Sequence, residues 1–220
     1  MINQNSLAVT TGEVRLSFVH LFTPCANPNG GEAKYSTTIL VPKHDIATKQ
    51  RIDSAIAAAT QDGVSSKWNG VRPPIVAVPV YDGDGVRPSD GMPFSTECKG
   101  HWVFTASSKQ APQVVDLSIQ PILNQTEIYS GVFARVSLRF YPYASNGKKG
   151  IGCGLGNVQK TRDGEPLGGR TSAASDFGSF DTAPQQPAYQ PQPQPQPQPQ
   201  LQTQIDPITG MPINGGIYGL

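Results

Sequence analysis

Residues 131–143, GVFARVSLRFYPY, decide the fold. Read as a strand, they put Val132, Ala134, Val136, Leu138 and Phe140 on one face and Phe133, Arg135, Ser137, Arg139, Tyr141 and Tyr143 on the other. Alternation with a period of two buries the aliphatic set and turns the second set outward. That outer set interleaves cations with flat rings, which is what a single-stranded nucleic acid needs, since arginine neutralises phosphate and rings stack on bases. An edge strand with two arginines and some half-buried aromatics would carry the same pattern, so the decision falls to the rest of the chain.

Upstream, residues 13–22 (EVRLSFVHLF) alternate as a first strand, with Val14, Leu16, Phe18 and Phe22 inward. A second strand at 34–41 (KYSTTILV) is rich in Thr, Ile and Val and is ended by Pro42. From Asp45 to about Gln61 the period becomes helical. Ile52, Ala55, Ile56 and Ala59 share a stripe, Asp45 or Thr48 caps the start, and Gly63 is the expected stop. Residues 69–97, dense in Gly, Pro and Asp, read as a long loop with one short strand at 75–80. Strands resume at 99–106, at 114–116 and at 131–143. A mainly β chain of about five strands, one helix and generous loops predicts an OB-fold-like five-stranded β-barrel, although strand count alone also allows a sandwich.

Charge sharpens the reading. The whole chain carries +1, but residues 131–170 hold Arg135, Arg139, Lys148, Lys149, Lys160, Arg162 and Arg170 against Asp163 and Glu165. This local excess of positive charge is the footprint of a polyanion partner. The tail differs. Residues 181–220 contain nine of the 21 prolines and ten glutamines, including the repeat at 191–200, and cannot bury enough apolar surface to offset chain entropy. Domain organisation is therefore read as a binding domain over 1–170 and a disordered tail over 171–220. Within the tail, SDFGSFD at 175–181 sets Phe177 and Phe180 between Asp176 and Asp181. An acidic, aromatic segment can mimic a nucleic-acid strand or dock on a partner's basic pocket.

Other chemistries find little support. His20, His44 and His101 are far apart in sequence, and no nucleophile motif accompanies them. The run GIGCGLG at 150–156 follows the last strand rather than opening a helix, so it is no dinucleotide fingerprint; its glycines suit a flexible or closely packed hairpin arm. Asp82, Asp84 and Asp90 suggest a calcium loop, yet the closing Glu is missing and Arg87 interrupts them. No metal or other cofactor is implied. Cys25, Cys98 and Cys153 form no CxxC pair, which fits free thiols in a reducing cytoplasm. The N-terminus lacks a signal-peptide pattern and no apolar run reaches membrane-spanning length, so a cytoplasmic protein is expected. Further ring-and-cation pairs come from Tyr35 with Lys34 and Trp68 with Lys67. On the 99–106 strand, Trp102 and Phe104 share one face and His101 and Val103 the other.

KYSTTILVPK (34–43), YDGDGVRPSD (81–90), VVDLSIQPI (114–122), YSGVFARVSLRFYPY (129–143) and above all GIGCGLGNVQKTRDGEPLGGR (150–170) resemble the phage-type single-stranded-DNA-binding proteins, a family similar to the replication proteins of podoviruses. The resemblance spans roughly 10–180. It implies an oligonucleotide-binding barrel, an acidic tail that recruits replication partners, and a protein that coats exposed strands, protects them and helps complementary strands anneal. One departure is plain: the acidic segment is followed here by the proline-glutamine repeat and the apolar end GGIYGL.

The expectation is non-catalytic, sequence-tolerant binding of single-stranded DNA in phage replication and recombination, in the host cell cytoplasm, with a homodimer allowed. The expected contacts are Arg135, Arg139, Lys148, Lys149, Lys160, Arg162 and Lys34 to phosphate and Trp102, Phe133, Tyr141, Tyr143 and Tyr35 to bases. Asp176, Phe177, Phe180 and Asp181 are the expected partner-binding tail. A phage structural or adaptor protein with a proline-rich protein-binding tail is the alternative, and a nuclease using Asp82 and Asp84 is a third reading.

Overall fold

The computed structural model describes residues 4–26, 31–145 and 147–168. A 3-10 turn at Gln4–Leu7 leads into β1 (Ala8–Thr10), followed by β2 (Val14–Cys25), β3 (Lys34–Pro42) and α1 (Ile46–Ser66). Then come β4 (Tyr81–Asp82), β5 (His101–Ser108), β6 (Val114–Val115), β7 (Phe133–Ser145) and β8 (Lys148–Arg162).

Five of these strands close a ring in the order β7–β2–β3–β5–β8, with β8 returning to β7. Every join is antiparallel except β5 with β8, which is parallel and rests on the single register pair Ser107↔Gly154. The long β7–β8 hairpin runs from Ser145↔Lys148 to Phe133↔Arg162. This is an OB-fold-like order, and the mainly β class with one helix is the one the sequence suggested, although β8 follows the strand read as the last, in a segment that reads from sequence only as a glycine-rich hairpin arm. β1 lies beside β7 at residues 137–139, while β4 and β6 are short pieces flanking β5 and β8.

Inside the ring, the alternation read from β7 holds: Ala134, Val136, Leu138 and Phe140 are buried against Leu16, Ile39, Val41, Phe104 and Leu155. The Phe104 and Phe140 rings meet at 6.4 Å between centroids. Helix α1 packs mainly on β7, burying Thr48, Ile52, Ala55 and Ala59. Asp45 caps it, its Oδ1 accepting from the Thr48 backbone N at 3.0 Å.

Four local expectations are corrected. Phe18 is 67% exposed rather than inward, because β2 bulges between Ser17 and His20 and Phe18 sits at φ 47. The bulge shifts the inward position to Leu21. Gly63 does not stop the helix, which continues to Ser66. The glycine is needed where Trp68 and Pro142 crowd it, since a β-carbon there would stand 2.7 Å from Trp68 Cη2. Trp68 is consequently interior, 1% exposed, with its Nε1 donating to the Tyr143 carbonyl at 3.1 Å, so it offers no ring beside Lys67 for a ligand. Residues 75–80 form no strand; Ala77 makes one bridge to Gly150, and the paired segment is β4.

Candidate nucleic-acid interface

The outward face of β7 carries Arg135, Arg139 and Tyr141, all exposed, with Ser137 and Tyr143 half-buried between and beyond them. Opposite them on β8 the run 150–156 also alternates: Ile151, Cys153 and Leu155 point into the core, Gly152, Gly154 and Gly156 lie half-buried on the other face, and Gly150 on that face is buried under Ala77. The register places Tyr143 against Gly150, Tyr141 against Gly152 and Arg139 against Gly154. A β-carbon at Gly152 would come within 2.6 Å of Tyr141 Cζ, and one at Gly150 within 2.9 Å of the Tyr143 hydroxyl. Gly152, Gly154 and Gly156 thus form a floor without side chains, over which the Tyr141 ring leans, while Gly150 is closed over by Ala77 and the Tyr143 hydroxyl. Burial of one side of the Tyr141 ring pushes its hydroxyl pKa up, leaving a neutral half-exposed ring.

The face continues around the ring in register. Gly154 pairs with Ser107, Ser107 with Ser36, and Ser36 with His20. One row above, Thr38 and Thr105 share a hydroxyl hydrogen bond at 3.1 Å. Beyond this hydroxyl floor lies a groove of about 520 Å3 whose walls include Phe18, Tyr81, Arg87 and Phe94. The whole outward surface is therefore a low polar floor bordered by aromatic rings at two ends, Tyr141 and Tyr143 on one side and Phe18 and Tyr81 on the other. Sequence reading missed the second border and the floor. Period two within GIGCGLG was the available signal for the floor; the bulge that exposes Phe18 left none.

Electrostatics separates the expected cations into two groups. Arg135, Arg139, Lys148, Lys149 and Lys34 are exposed and have no carboxylate partner among the described residues. Lys148 and Lys149 stand at the tip of the β7–β8 hairpin, and Lys34 begins β3. The others are engaged. Lys160 lies opposite buried Ala134, its side chain is 14% exposed, and it pairs with Asp163 at 2.9 Å. Arg162 pairs with Glu13 at 2.9 Å and lies over the Phe133 ring at 3.4 Å. Hydrogen bonds from Thr161 and Arg162 hold the Glu13 carboxyl below the usual carboxylate range.

The expected rings divide similarly. Phe133 is held between Arg162 and Arg15. Trp102, half-buried, is covered by the ammonium groups of Lys43 and Lys49 at 5.2 and 4.5 Å from its ring centre. Tyr35 pairs with Ser108 and is half-buried. The residues brought together on one open face are therefore Arg135, Arg139, Tyr141, Tyr143 and Lys148, with Lys149 beside Lys148 at the hairpin tip but on the opposite face by register. Asp82 and Asp84 both pair with Lys43, at 2.6 and 2.5 Å, and its ammonium group, through hydrogen bonds, holds both carboxyls low. Among the described residues no cluster of three or more His, Cys, Asp or Glu could hold a metal, and no helix is long and apolar enough to cross a membrane. The tail residues Asp176, Phe177, Phe180 and Asp181 lie outside the described residues.

Comparison with known proteins agrees with this fold. The structure is similar to the single-stranded DNA-binding protein of bacteriophage Enc34 solved in complex with single-stranded DNA, with a TM-score of 0.63 and 29% identity, over 74% of this chain and 90% of that one. It is also similar to gp2.5, a single-stranded DNA binding protein encoded by bacteriophage T7, with a TM-score of 0.50 over 78% of this chain and 99% of that one; at 14% identity that likeness concerns the fold alone. Protein p50 of Acyrthosiphon pisum secondary endosymbiont phage 1 is 26% identical over 185 residues, 82% of this chain and 97% of the relative. Residues 7–187 match the family model described as Enterobacter phage Enc34, ssDNA-binding protein, and the chain belongs to that family.

Proposed function

We propose that this protein binds single-stranded DNA during phage replication and recombination without reading sequence, and does so without catalysis. The observation that carries the reading is the row of cations with no carboxylate partner among the described residues, Arg135, Arg139, Lys148 and Lys149, running along one hairpin with the Tyr141 ring leaning over a glycine floor and Tyr143 beside it. An extended strand needs that combination. Its phosphates meet cations not already neutralised by carboxylates, and its bases find flat rings with open space beside them. The floor is lined by glycines and by serine and threonine hydroxyls, which rotate and can either donate or accept, and that favours tolerance over sequence readout. Phe18 and Tyr81 supply a second stacking position for a base that crosses Ser107, Ser36 and Thr38.

In this reading, Lys34 extends the cation row at the far end of the floor. Lys160, Arg162, Phe133 and Trp102 act mainly by fixing the barrel, since each is already covered or paired. The body to about residue 170 does the binding. The tail, through Asp176, Phe177, Phe180 and Asp181, contacts replication or recombination proteins in the host cytoplasm.

A titration of fluorescently labelled oligo-dT at two salt concentrations, with and without magnesium and beside a duplex of equal length, tests the reading. It expects tight binding at low salt, a steep loss with added salt, weaker duplex binding and an intact oligonucleotide in magnesium. No binding at low salt, equal binding of duplex, or magnesium-dependent degradation would overturn it.

A further inference from the structure

The loop over residues 116–123, between β6 and β7, presents apolar side chains to water from a rigid frame. Asp116 Oδ1 accepts from the backbone N of Ser118 and of Gln120, each at 2.8 Å, and Asp116 N donates to the Gln120 carbonyl at 2.9 Å. Val114 and Ile122 anchor the two ends in the core, joined by Ile122 N donating to the Val114 carbonyl at 2.9 Å. The frame holds Ile119 at φ 63, a region that β-branched residues avoid, and leaves Leu117, Ile119 and Leu123 between 66% and 85% exposed. Ordered aliphatic groups held in water from a strained backbone gain nothing for the fold, so they point to a contact.

Register places this knob on the rim of the DNA face. Arg135 pairs with Gln159, Gln159 with Val115, and Val115 bridges to Pro121, so one row across the sheet leads from the first cation of β7 into the loop. Residues paired in a ladder share a face, and Gln159 Nε2 fastens the row by donating to the Asp116 carbonyl at 3.2 Å. The chemistry changes along that row. Residues 114–124, VVDLSIQPILN, contain no Lys or Arg and no aromatic ring. A single strand continuing over the loop finds neither a cation for its phosphates nor a ring for its bases. Branched aliphatic side chains are instead the type that packs on bases already stacked, as the apolar wedges of duplex-binding proteins do. The flat, apolar and uncharged surface that a single strand can bring to that rim is the last base pair of an adjoining duplex.

We propose that Leu117, Ile119 and Leu123 form a platform for the last base pair where a strand held on the β7–β8 face runs into duplex, so that the protein binds a junction of single strand and duplex better than plain single strand. The inference rests on the DNA-binding reading for the position of the strand. Arg135 holds a phosphate next to the junction, and the loop covers the exposed face of the terminal pair. Covering part of three aliphatic side chains supports a gain of about tenfold or more. Because the loop brings no cation, that gain is insensitive to salt, unlike the binding it adds to.

A hairpin carrying an oligo-dT tail, on its 3′ side or on its 5′ side, is compared with the same oligo-dT alone by titration of the full chain at two salt concentrations. The proteins are the wild type, Leu117→Ser/Leu123→Ser and Ile119→Gly, with circular dichroism and thermal melting confirming each fold. Ile119→Gly removes the side chain and relieves the φ of 63, so its melting temperature is expected to be no lower than that of the wild type. The expected result is equal affinity of all three proteins for oligo-dT. A gain of about tenfold or more on the hairpin, for one tail polarity and at both salt concentrations, is expected in the wild type and its loss in both variants. The substitutions leave the charge unchanged, so a gain that came from the hairpin's phosphates would survive in them and fall with salt. A wild type without the gain, a gain that falls with salt, a variant that keeps it, or variants that also lose oligo-dT affinity would each overturn the proposal. Failure of the wild type on oligo-dT alone brings down the DNA reading itself, a distinct outcome.

Discussion

The Tyr141 ring lies over Gly152, its register partner on β8, so closely that a β-carbon at residue 152 would stand 2.6 Å from the ring's Cζ. Glycine is therefore required at 152 for the ring's position rather than for backbone conformation. Gly152→Val should displace the ring and weaken single-strand binding by about the worth of one stack, roughly 1–3 kcal/mol. Oligo-dT titration of the variant checks this, and an unchanged affinity would detach Tyr141 from the DNA face.

Removal of the ring itself should do the same without touching the floor. Tyr141→Ala is expected to lose about 1–3 kcal/mol of binding, and Tyr141→Phe to keep most of it, because the half-exposed ring and not the neutral hydroxyl meets the base. The pair of titrations distinguishes stacking from a hydrogen bond by that hydroxyl.

Arginines separated by their partners should behave differently. Arg135→Gln and Arg139→Gln each remove a cation with no carboxylate partner among the described residues, so each should flatten the salt dependence of log affinity by about 0.7. Arg162→Gln instead breaks the Glu13 pair and uncovers Phe133, so its main effect should be a lower melting temperature with a nearly unchanged salt slope. Equal slope changes in all three would contradict this division.

Acid should loosen the helix start. Burial alone would raise the Asp45 pKa, but the side-chain and backbone hydrogen bonds of Thr48 outweigh it and hold the carboxyl low. A carboxyl depressed in the folded state contributes stability above its unfolded pKa, and that contribution is lost as pH falls through the lower folded value. Asp45→Ala should cost about 1 kcal/mol at neutral pH, whereas Asp45→Asn should keep most of the cap and blunt its acid dependence. Urea melts at neutral and acidic pH read both.

The three cysteines should differ as reagents. Burial pushes the Cys153 thiol up to about 12 and raises that of Cys98, while Cys25 is exposed. A thiol-specific reagent at neutral pH should modify Cys25 quickly in the native protein and all three only after denaturation, as mass spectrometry would show.

Much of this was legible in the sequence because β7 alternates without interruption, so residues 133–143 sort themselves by parity. The fold class followed from that strand and its companions. Where reading failed, a tertiary demand had overridden a local signal. Gly63 looks like a helix stop, but Trp68 needs it inside α1. Phe18 looks inward, but a bulge turns it out. Trp68 looks like a ring for a ligand, but its indole N–H finds the Tyr143 carbonyl in the interior. Arg162 and Lys160 count as positive charge in any tally, and only the folded register shows Glu13 and Asp163 beside them. Charge distribution along the chain is visible to a reader; neutralisation of that charge is not.

The ring of strands is shut by one parallel pair, Ser107 with Gly154, while its other joins are longer. That pair acts as a clasp on a collar whose β2–β7 join is also short, at two register pairs. Amides there should exchange with solvent sooner than those of the β3–β5 or β7–β8 ladders. A strand of DNA laid from Arg139 across Gly154 to Ser36 would bridge the clasp from outside, so the ligand would tighten the barrel that holds it.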